Sequence, residues 1–527
     1  MNDTSIAESR AEDHALNSVP DAERKDWVAL SWTTTGLVTG LVQLFLGALI
    51  TSIAGFKVAL AAGVLVTAVG ALMGWGCGHI AYRSGLSSTV LSRKFGFGDK
   101  GSIVSSVIFA FMIIGFLAIE NALLYSGFVF YFHLQDTITT RIVVYGLMTV
   151  AWVLLTAYGF NLVARVSTYT LAAFLVVLAY ITYLVVAGSS ESLSTVASFP
   201  SQFPASALKG MGITSEWGKF IFAVNMLIGS AGALALVDAD IGRYAKRSRD
   251  IGIAALFGNV AMDIFMLALG GIIMHAGAPQ LIAYYQSSGM SLEAAQHATL
   301  ASPDSITAAF IIFSGGFGAL LMVLAQSKTQ VLNTYSASLS LSNLADVLGG
   351  WRPGRIVFVV IANLIGLVML YGKLLSLVNS YVTLLGVLTT AFAGVIIADY
   401  FIVRPQQRKQ GIEPQAVDAC NYAGVATTII AFALSHWGSQ HHRADRICDH
   451  GHRVSCRLSG AAFVGAASVA VAGGRRITKR LIHQWNGHCV SGADARTRVS
   501  VPINTLDHVF CTTPIQSNHD SIDDRTY

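Results

Sequence analysis

Charged residues are scarce in this chain. Asp, Glu, Lys and Arg together make up 12% of its 527 residues, about half the share usual in soluble domains. Hydrophobic residues reach 54%, and a soluble chain has too little polar surface to cover that much apolar area. The composition therefore excludes a soluble enzyme, a disordered chain and a nucleic-acid binder, and it points to a polytopic protein set in a lipid bilayer. The net charge of +5 is small for this length and reads as a loop-charge effect rather than a polyanion-binding surface. Six cysteines make no disulfide framework in so long a chain. The apolar region holds no zinc-spaced Cys/His set, Walker loop or nucleophile elbow. No enzyme activity, catalytic residue, metal or resident cofactor is expected, since a membrane-embedded enzyme needs such a constellation. Residues 1–27 have no apolar core, so no cleavable signal peptide is expected and the first apolar run serves as the insertion signal.

Long apolar runs are what the chain has in abundance. A crossing needs roughly 20 mostly apolar residues. Eleven candidates lie near 28–54, 57–81, 102–131, 142–161, 166–187, 217–238, 251–275, 304–333, 355–371, 375–402 and 418–436. Lys and Arg gather in the loops after even-numbered spans. These hold Arg83, Arg93, Lys94 and Lys100, then Arg165, then Arg243, Lys246, Arg247 and Arg249, then Arg352 and Arg355, then Arg404, Arg408 and Lys409. Odd loops hold little beyond Lys57, Arg141, Lys209 and Lys373, and the 276–303 loop holds none. This asymmetry places the N-terminus and the even loops in the cytoplasm; the expected location is the cell's inner (plasma) membrane. The two longest outer loops, 188–216 and 276–303, follow spans five and seven. That placement fits a cytoplasmic tail (1–27), two five-span repeats (28–187 and 217–402), and an inner loop with an eleventh span (403–437).

The information lies in what interrupts the apolar runs. Span one carries Thr33-Thr34-Thr35-Gly36, then Gly40 and Gln43; span six carries Gly229-Ser230-Ala231-Gly232. Two readings stand: discontinuous helices whose free backbone groups face a ligand, or close packing through small residues. Glu120 is deep in span three, where a carboxylate costs about 2.5 kcal/mol or more. Phe116 lies four residues earlier on the same face. A ring beside a carboxylate makes a clamp for a flat heterocycle, by stacking and by accepting ring N–H bonds; pairing of Glu120 with an interior cation is the alternative. Lys328 in span eight is equally costly. It can exchange a proton or supply a fixed charge in place of a bound cation. Asp263 in span seven is a second buried carboxylate. Asp238 and Asp240 beside Arg243 read as structural ion pairs, and His79 and His275 as packing positions.

Four stretches carry a family likeness: Gly85-Leu86-Ser87-Ser88-Thr89 with Phe95-Gly96-Phe97-Gly98 and Lys100-Gly101; Asp238-Ala239-Asp240-Ile241-Gly242-Arg243-Tyr244; Asn333-Thr334-Tyr335-Ser336-Ala337 leading to Asn343; and Gly394-Val395-Ile396-Ile397-Ala398-Asp399-Tyr400. Over residues 25–437 the chain resembles the nucleobase:cation symporter-1 family, most closely its bacterial cytosine and purine-cytosine permeases. The resemblance implies an all-α LeuT-type fold: two inverted five-helix repeats with discontinuous first and sixth helices, plus two further helices. It implies import of a nucleobase, or a related heterocycle such as allantoin, driven by co-transported H+ or Na+. Carried onto this chain, it puts Phe116 against the base and Glu120 where some members use an amide. Gly229, Ser230 and Ala231 become backbone contacts, Gly40 lines the site, and Gln330 is the span-eight contact. The family's sodium position falls on Gly36, Thr39 and Gly40 with Ala325, Lys328 and Thr329. A lysine there, where a hydroxyl would sit, favours H+ coupling. A LeuT-fold symporter for an amino acid and a non-transporting sensor are the rival readings, and the oligomeric state is left open.

The likeness is expected to end at Ser435-His436-Trp437. Nine of the 14 histidines and four of the six cysteines lie from His436 onward, and the apolar patch 459–474 is too short to span well. Residues 438–527 read as a metal-binding set (Cys448, His450, His452, Cys456), as a regulatory tail, or, the reading adopted, as a shifted frame in place of a twelfth span.

Overall fold

The computed structural model describes residues 14–157, 160–189, 191–302, 304–371, 378–411 and 419–441, all within one compact unit, Met1–Ala472. The readings made for the tail from residue 442 on lie outside these. Among the described residues the chain is helical, apart from an isolated bridge between Lys25 and Ala245. Helix is the form by which an apolar run satisfies its own backbone in lipid.

Span one comprises Trp27–Val38 and Leu41–Ala54, bent by 64° at Thr39-Gly40. The carboxylate of Asp26 caps its start, accepting from the Ala29 N–H at 3.1 Å. Spans two to six are Phe56–Ser84, Ser102–Tyr131, Ile138–Ala157, Phe160–Gly188 and Glu216–Gly242. Span seven runs through Ser248–Val260, a π-helical turn Ala261–Met266, and Leu267–Ser287. Two short helices, Leu292–Ala301 and Ser305–Ser314, precede span eight, Gly316–Gly349. Span nine is Arg355–Tyr371, span ten begins at Val378–Ala398, and span eleven is Tyr422–His441. Among the described residues seven helices are long and apolar enough to cross a membrane, eight with the bent pair counted as one. The three remaining spans are helices that are shorter in apolar length or, for span eight, rich in Ser, Thr, Asn and Gln.

The packing has the two-fold pattern of an inverted repeat. Span two packs on six and span one on seven; three packs on eight; one packs on five as six packs on ten. Exchanging one with six, two with seven, three with eight and five with ten maps this set onto itself. Spans one, two, six and seven form one group, and three, four, eight and nine another.

Two expectations need correction. Span six is one continuous helix through Gly229-Ser230-Ala231-Gly232, not a broken one. Its glycines serve close packing: a methyl on Gly229 would stand 3.0 Å from the Val382 carbonyl and 3.3 Å from the Cα of Gly386, and one on Gly232 would meet Thr389 and Thr390. Span eight starts not at residue 304 but after Gly315. That residue has φ 54° and ψ −121°, which only glycine adopts without strain, and the chain turns there from Ser305–Ser314 into the long helix.

Candidate functional site

The break in span one creates two helix ends with unsatisfied backbone groups. A helix stopping at Val38 leaves its last carbonyls free, and one starting at Leu41 leaves its first N–H groups free. Spans eight and three answer each with a side chain of matching sign. The Lys328 ammonium, fully buried, donates to the carbonyl of Thr39 and, at 3.3 Å, to that of Gly36. The Thr329 hydroxyl donates to the Leu37 carbonyl at 3.2 Å. On the other side the Glu120 carboxylate accepts from the Val42 N–H at 3.4 Å. A cation thus sits at the C-terminal end of one half-helix and an anion at the N-terminal end of the next, the arrangement helix dipoles favour. The ring face of Phe174 in span five lies 4.2 Å from the Lys328 nitrogen, a cation–π contact. Glu120 and Lys328 do not form a direct ion pair among the described residues; the break lies between them.

Gly40 is the residue that allows this approach. A methyl there would run into the Glu120 carboxylate and stand 3.2 Å from the Thr329 hydroxyl oxygen. The other Glu120 oxygen accepts from the Gln326 amide at 2.5 Å. Phe116, one turn away, is half-buried and packs edge-on against Tyr381, with ring centroids 6.2 Å apart. The Tyr381 hydroxyl donates to the carbonyls of Phe111 (2.7 Å) and Met112 (2.9 Å), which fixes that edge.

The remaining residues are placed as follows. Thr39 supplies its carbonyl to Lys328 and its hydroxyl to the carbonyl of Thr35 at 2.8 Å. Ala325 and Ser230 are buried. Ala231 faces span two, its methyl 3.0 Å from where a Cβ on Gly70 would stand, and Gly229 faces span ten. Gln330 is not at the carboxylate. Its amide donates to the Leu117 carbonyl (2.9 Å) and to Asn121 Oδ1 (2.7 Å), and it accepts from Asn333 at 3.2 Å, while Trp152 also donates to Asn121 at 2.9 Å. That network ties spans three, four and eight. Sequence reasoning missed Gln326, Asn121, Trp152 and Phe174. Gln326, Gln330 and Asn333 stand at i, i+4 and i+7, and this spacing marks one polar face on span eight turned to span three.

Among the described residues the expected ion pairs at the end of span six are not direct contacts, although the Arg243 charge acts on Asp240. Asp240 accepts from the Ser88 N–H at 2.8 Å. Arg243 donates to the His14 carbonyl (2.9 Å) and to the Tyr335 hydroxyl (2.6 Å). Asp238 lies on the opposite face, turned to Gly74 of span two. The four stretches that carried the likeness meet here, at the helix ends on the side of the N-terminal segment. Ser88 reaches Asp240, Arg243 reaches Tyr335, Arg93 donates to Asn343 at 2.6 Å, and the Gly96 N–H donates to Asp399 at 3.0 Å. His79 and His275 do more than pack: His79 hydrogen-bonds the Ser248 hydroxyl at 2.6 Å, and His275, stacked on Phe199, also contacts Gln202 and, at 3.1 Å, Glu191. Among the described residues no group of three or more His, Cys, Asp or Glu is arranged to hold a metal.

The family model for permeases of cytosine/purines, uracil, thiamine and allantoin matches residues 19–457. The chain belongs to this permease family. The match runs past Trp437, where the likeness was expected to end. Among solved structures the chain is similar to Mhp1, a nucleobase-cation-symport-1 family transporter in a closed conformation with bromovinylhydantoin bound, with TM-score 0.60, 15% identity, and coverage of 89% of this chain and 95% of that one. A Na+-coupled sialic acid symporter in a substrate-bound outward-open state follows at TM-score 0.56 and 12% identity, covering 90% and 95%. MhsT in complex with L-phenylalanine gives 0.51 and 13%, covering 85% and 98%. At these identities the likeness is one of fold, and the fold is the LeuT type. No curated protein matches the sequence. The permease is a multi-pass membrane protein of the nucleobase:cation symporter-1 family.

Proposed function

We propose that this permease imports a nucleobase, cytosine or a purine, or a related heterocycle such as allantoin, by symport with a proton. It would work from an inner membrane with its N-terminus in the cytoplasm. The observation that carries the coupling is the Lys328 ammonium on the Gly36 and Thr39 carbonyls. A fixed positive charge there takes the place of a bound sodium ion and repels one. Phe116 and Glu120 carry the substrate reading. A ring that is half-buried inside the protein offers a stacking face. The carboxylate beside it, held by Val42 and Gln326, has lone pairs left to accept adjacent N–H donors such as cytosine, adenine and guanine present. From span six Ser230 would complete the wall, since Gly229 and Ala231 pack against spans ten and two, and Gln330 would hold span three in place. A membrane permease family and a neighbour solved with a hydantoin bound support a heterocyclic substrate.

Competition tests this reading. In proteoliposomes preloaded with cytosine, external cytosine, adenine or guanine should displace radiolabelled cytosine uptake, and amino acids should not. Displacement by an amino acid with none by any base would contradict it.

A further inference from the structure

The group of spans one, two, six and seven encloses two carboxyl groups that the Glu120–Lys328 centre does not use. Asp238 and Asp263 are each 0% exposed, and neither oxygen of either has a hydrogen-bond partner. Asn259 lies one turn from Asp263 on span seven. Its amide nitrogen donates to the Ala255 carbonyl at 2.9 Å, while its Oδ1 is also buried without a partner. The Thr34 hydroxyl of span one faces Asp238 without meeting hydrogen-bond geometry.

A glycine face on span two admits the Asp238 carboxyl, the Asn259 amide and the backbone at Asp263. A methyl on Gly74 would run into the Asp238 carboxylate, one on Gly70 into Asn259 Oδ1, and one on Gly63 into the Asp263 carbonyl. Residues at these intervals share one side of a helix. Small neighbours line the same strip, with the Ala231 methyl 3.0 Å from a Cβ on Gly70 and the Ala255 methyl 2.9 Å from one on Gly74. At Asp263 itself span seven opens into the π-helical turn Ala261–Met266, a form rare in helices and frequent at functional sites.

We propose that Asp263 and Asp238 carry the coupling proton through this group of helices. The inference rests on the reading of the chain as a proton symporter and names the groups that bind the proton. A buried carboxylate with no counter-charge costs several kcal/mol, and each of these stands without one. A hard metal cation wants a shell of about six oxygens. Asp238 has one hydroxyl facing it and Asp263 has no partner, whereas a proton needs a single acceptor. The titratable side chain facing Asp238 is Cys77 of span two; Thr34 and Asn259, from spans one and seven, do not titrate. Asp263 has no charged neighbour among the described residues. One proton bound on Asp263 from the outer side and released inward from Asp238 crosses with each substrate. Only O–H bonds form and break, and nothing is oxidised or reduced.

The experiment compares two readouts in proteoliposomes holding the full chain. One is counterflow, in which radiolabelled cytosine or adenine exchanges for internal unlabelled base with no ion gradient. The other is accumulation driven by an imposed pH gradient. Asp238→Asn and Asp263→Asn should each keep counterflow and lose gradient-driven accumulation by roughly 5- to 150-fold, the span of a coupling free energy. Cys77→Ser should keep both. Accumulation at the wild-type level in either Asp variant overturns the inference. So does equal loss of both readouts, which would make the carboxyls structural. A wild-type protein that exchanges neither base would instead overturn the substrate reading.

Discussion

Lys328→Ser should make uptake by this permease dependent on sodium. The substitution removes the ammonium that spans the Gly36 and Thr39 carbonyls and leaves two hydroxyls, Ser and Thr329, beside them. Those oxygens belong to the end of a half-helix, where the dipole attracts a cation. Without sodium the variant should be nearly inactive, because the Gly36 and Thr39 carbonyls lose charge-assisted hydrogen bonds that contribute about 1.5–3 kcal/mol each. Added Na+ should restore uptake by filling the same position. Lys328→Met separates the two effects: it loses the charge and offers no hydroxyl, so Na+ should not rescue it. Rescue of both variants, or of neither, would remove the assignment of this position to coupling.

Glu120→Gln should weaken binding of N–H-bearing bases and widen selectivity. The carboxylate accepts from Val42 and Gln326 and has capacity left for a ligand. A hydrogen bond to a charged group contributes about 1.5–3 kcal/mol, so the apparent affinity for cytosine should fall by about tenfold to a hundredfold. An amide also donates, so uracil, which presents carbonyls, should compete better in the variant than in the wild type. The fold should tolerate the change: Gln326 Oε1 is buried without a partner, and turning that amide over would present it to the new N–H. Unchanged competition by the whole set of bases would count against Glu120 as a substrate ligand.

Much of the architecture was legible because lipid imposes a simple rule on apolar runs. The basic residues of the even loops and the long loops after spans five and seven fit the two repeats that the helix packing displays. The glycines were ambiguous. Gly36 and Gly40 in span one and Gly229 and Gly232 in span six look alike in sequence, yet the first pair flanks a break and the second pair packs against span ten. A glycine permits both, and the choice is made by what approaches it: Glu120 at Gly40, and Gly386 and Thr390 at span six. Partners were the other blind spot. Glu120 and Lys328 stood out by their cost, and both proved to sit at the break. Gln330 looked the same by composition but is consumed by Asn121, Leu117 and Asn333. Asp238 was matched with Arg243 by proximity along the chain, whereas its helix face turns it to Gly74. The motifs that revealed the family lie at one end of the helices, where Ser88, Arg93, Gly96 and Arg243 hold the frame together, and they say little about the substrate.

The most direct test of the account is uptake of radiolabelled cytosine, adenine, guanine and allantoin by cells expressing the full chain, with and without Na+ and with a protonophore. Uptake of at least one of these that is unchanged by Na+ removal and abolished by the protonophore is the predicted result. Uptake that stops when Na+ is withdrawn at fixed pH would contradict the central claim that Lys328 stands where a sodium ion would bind.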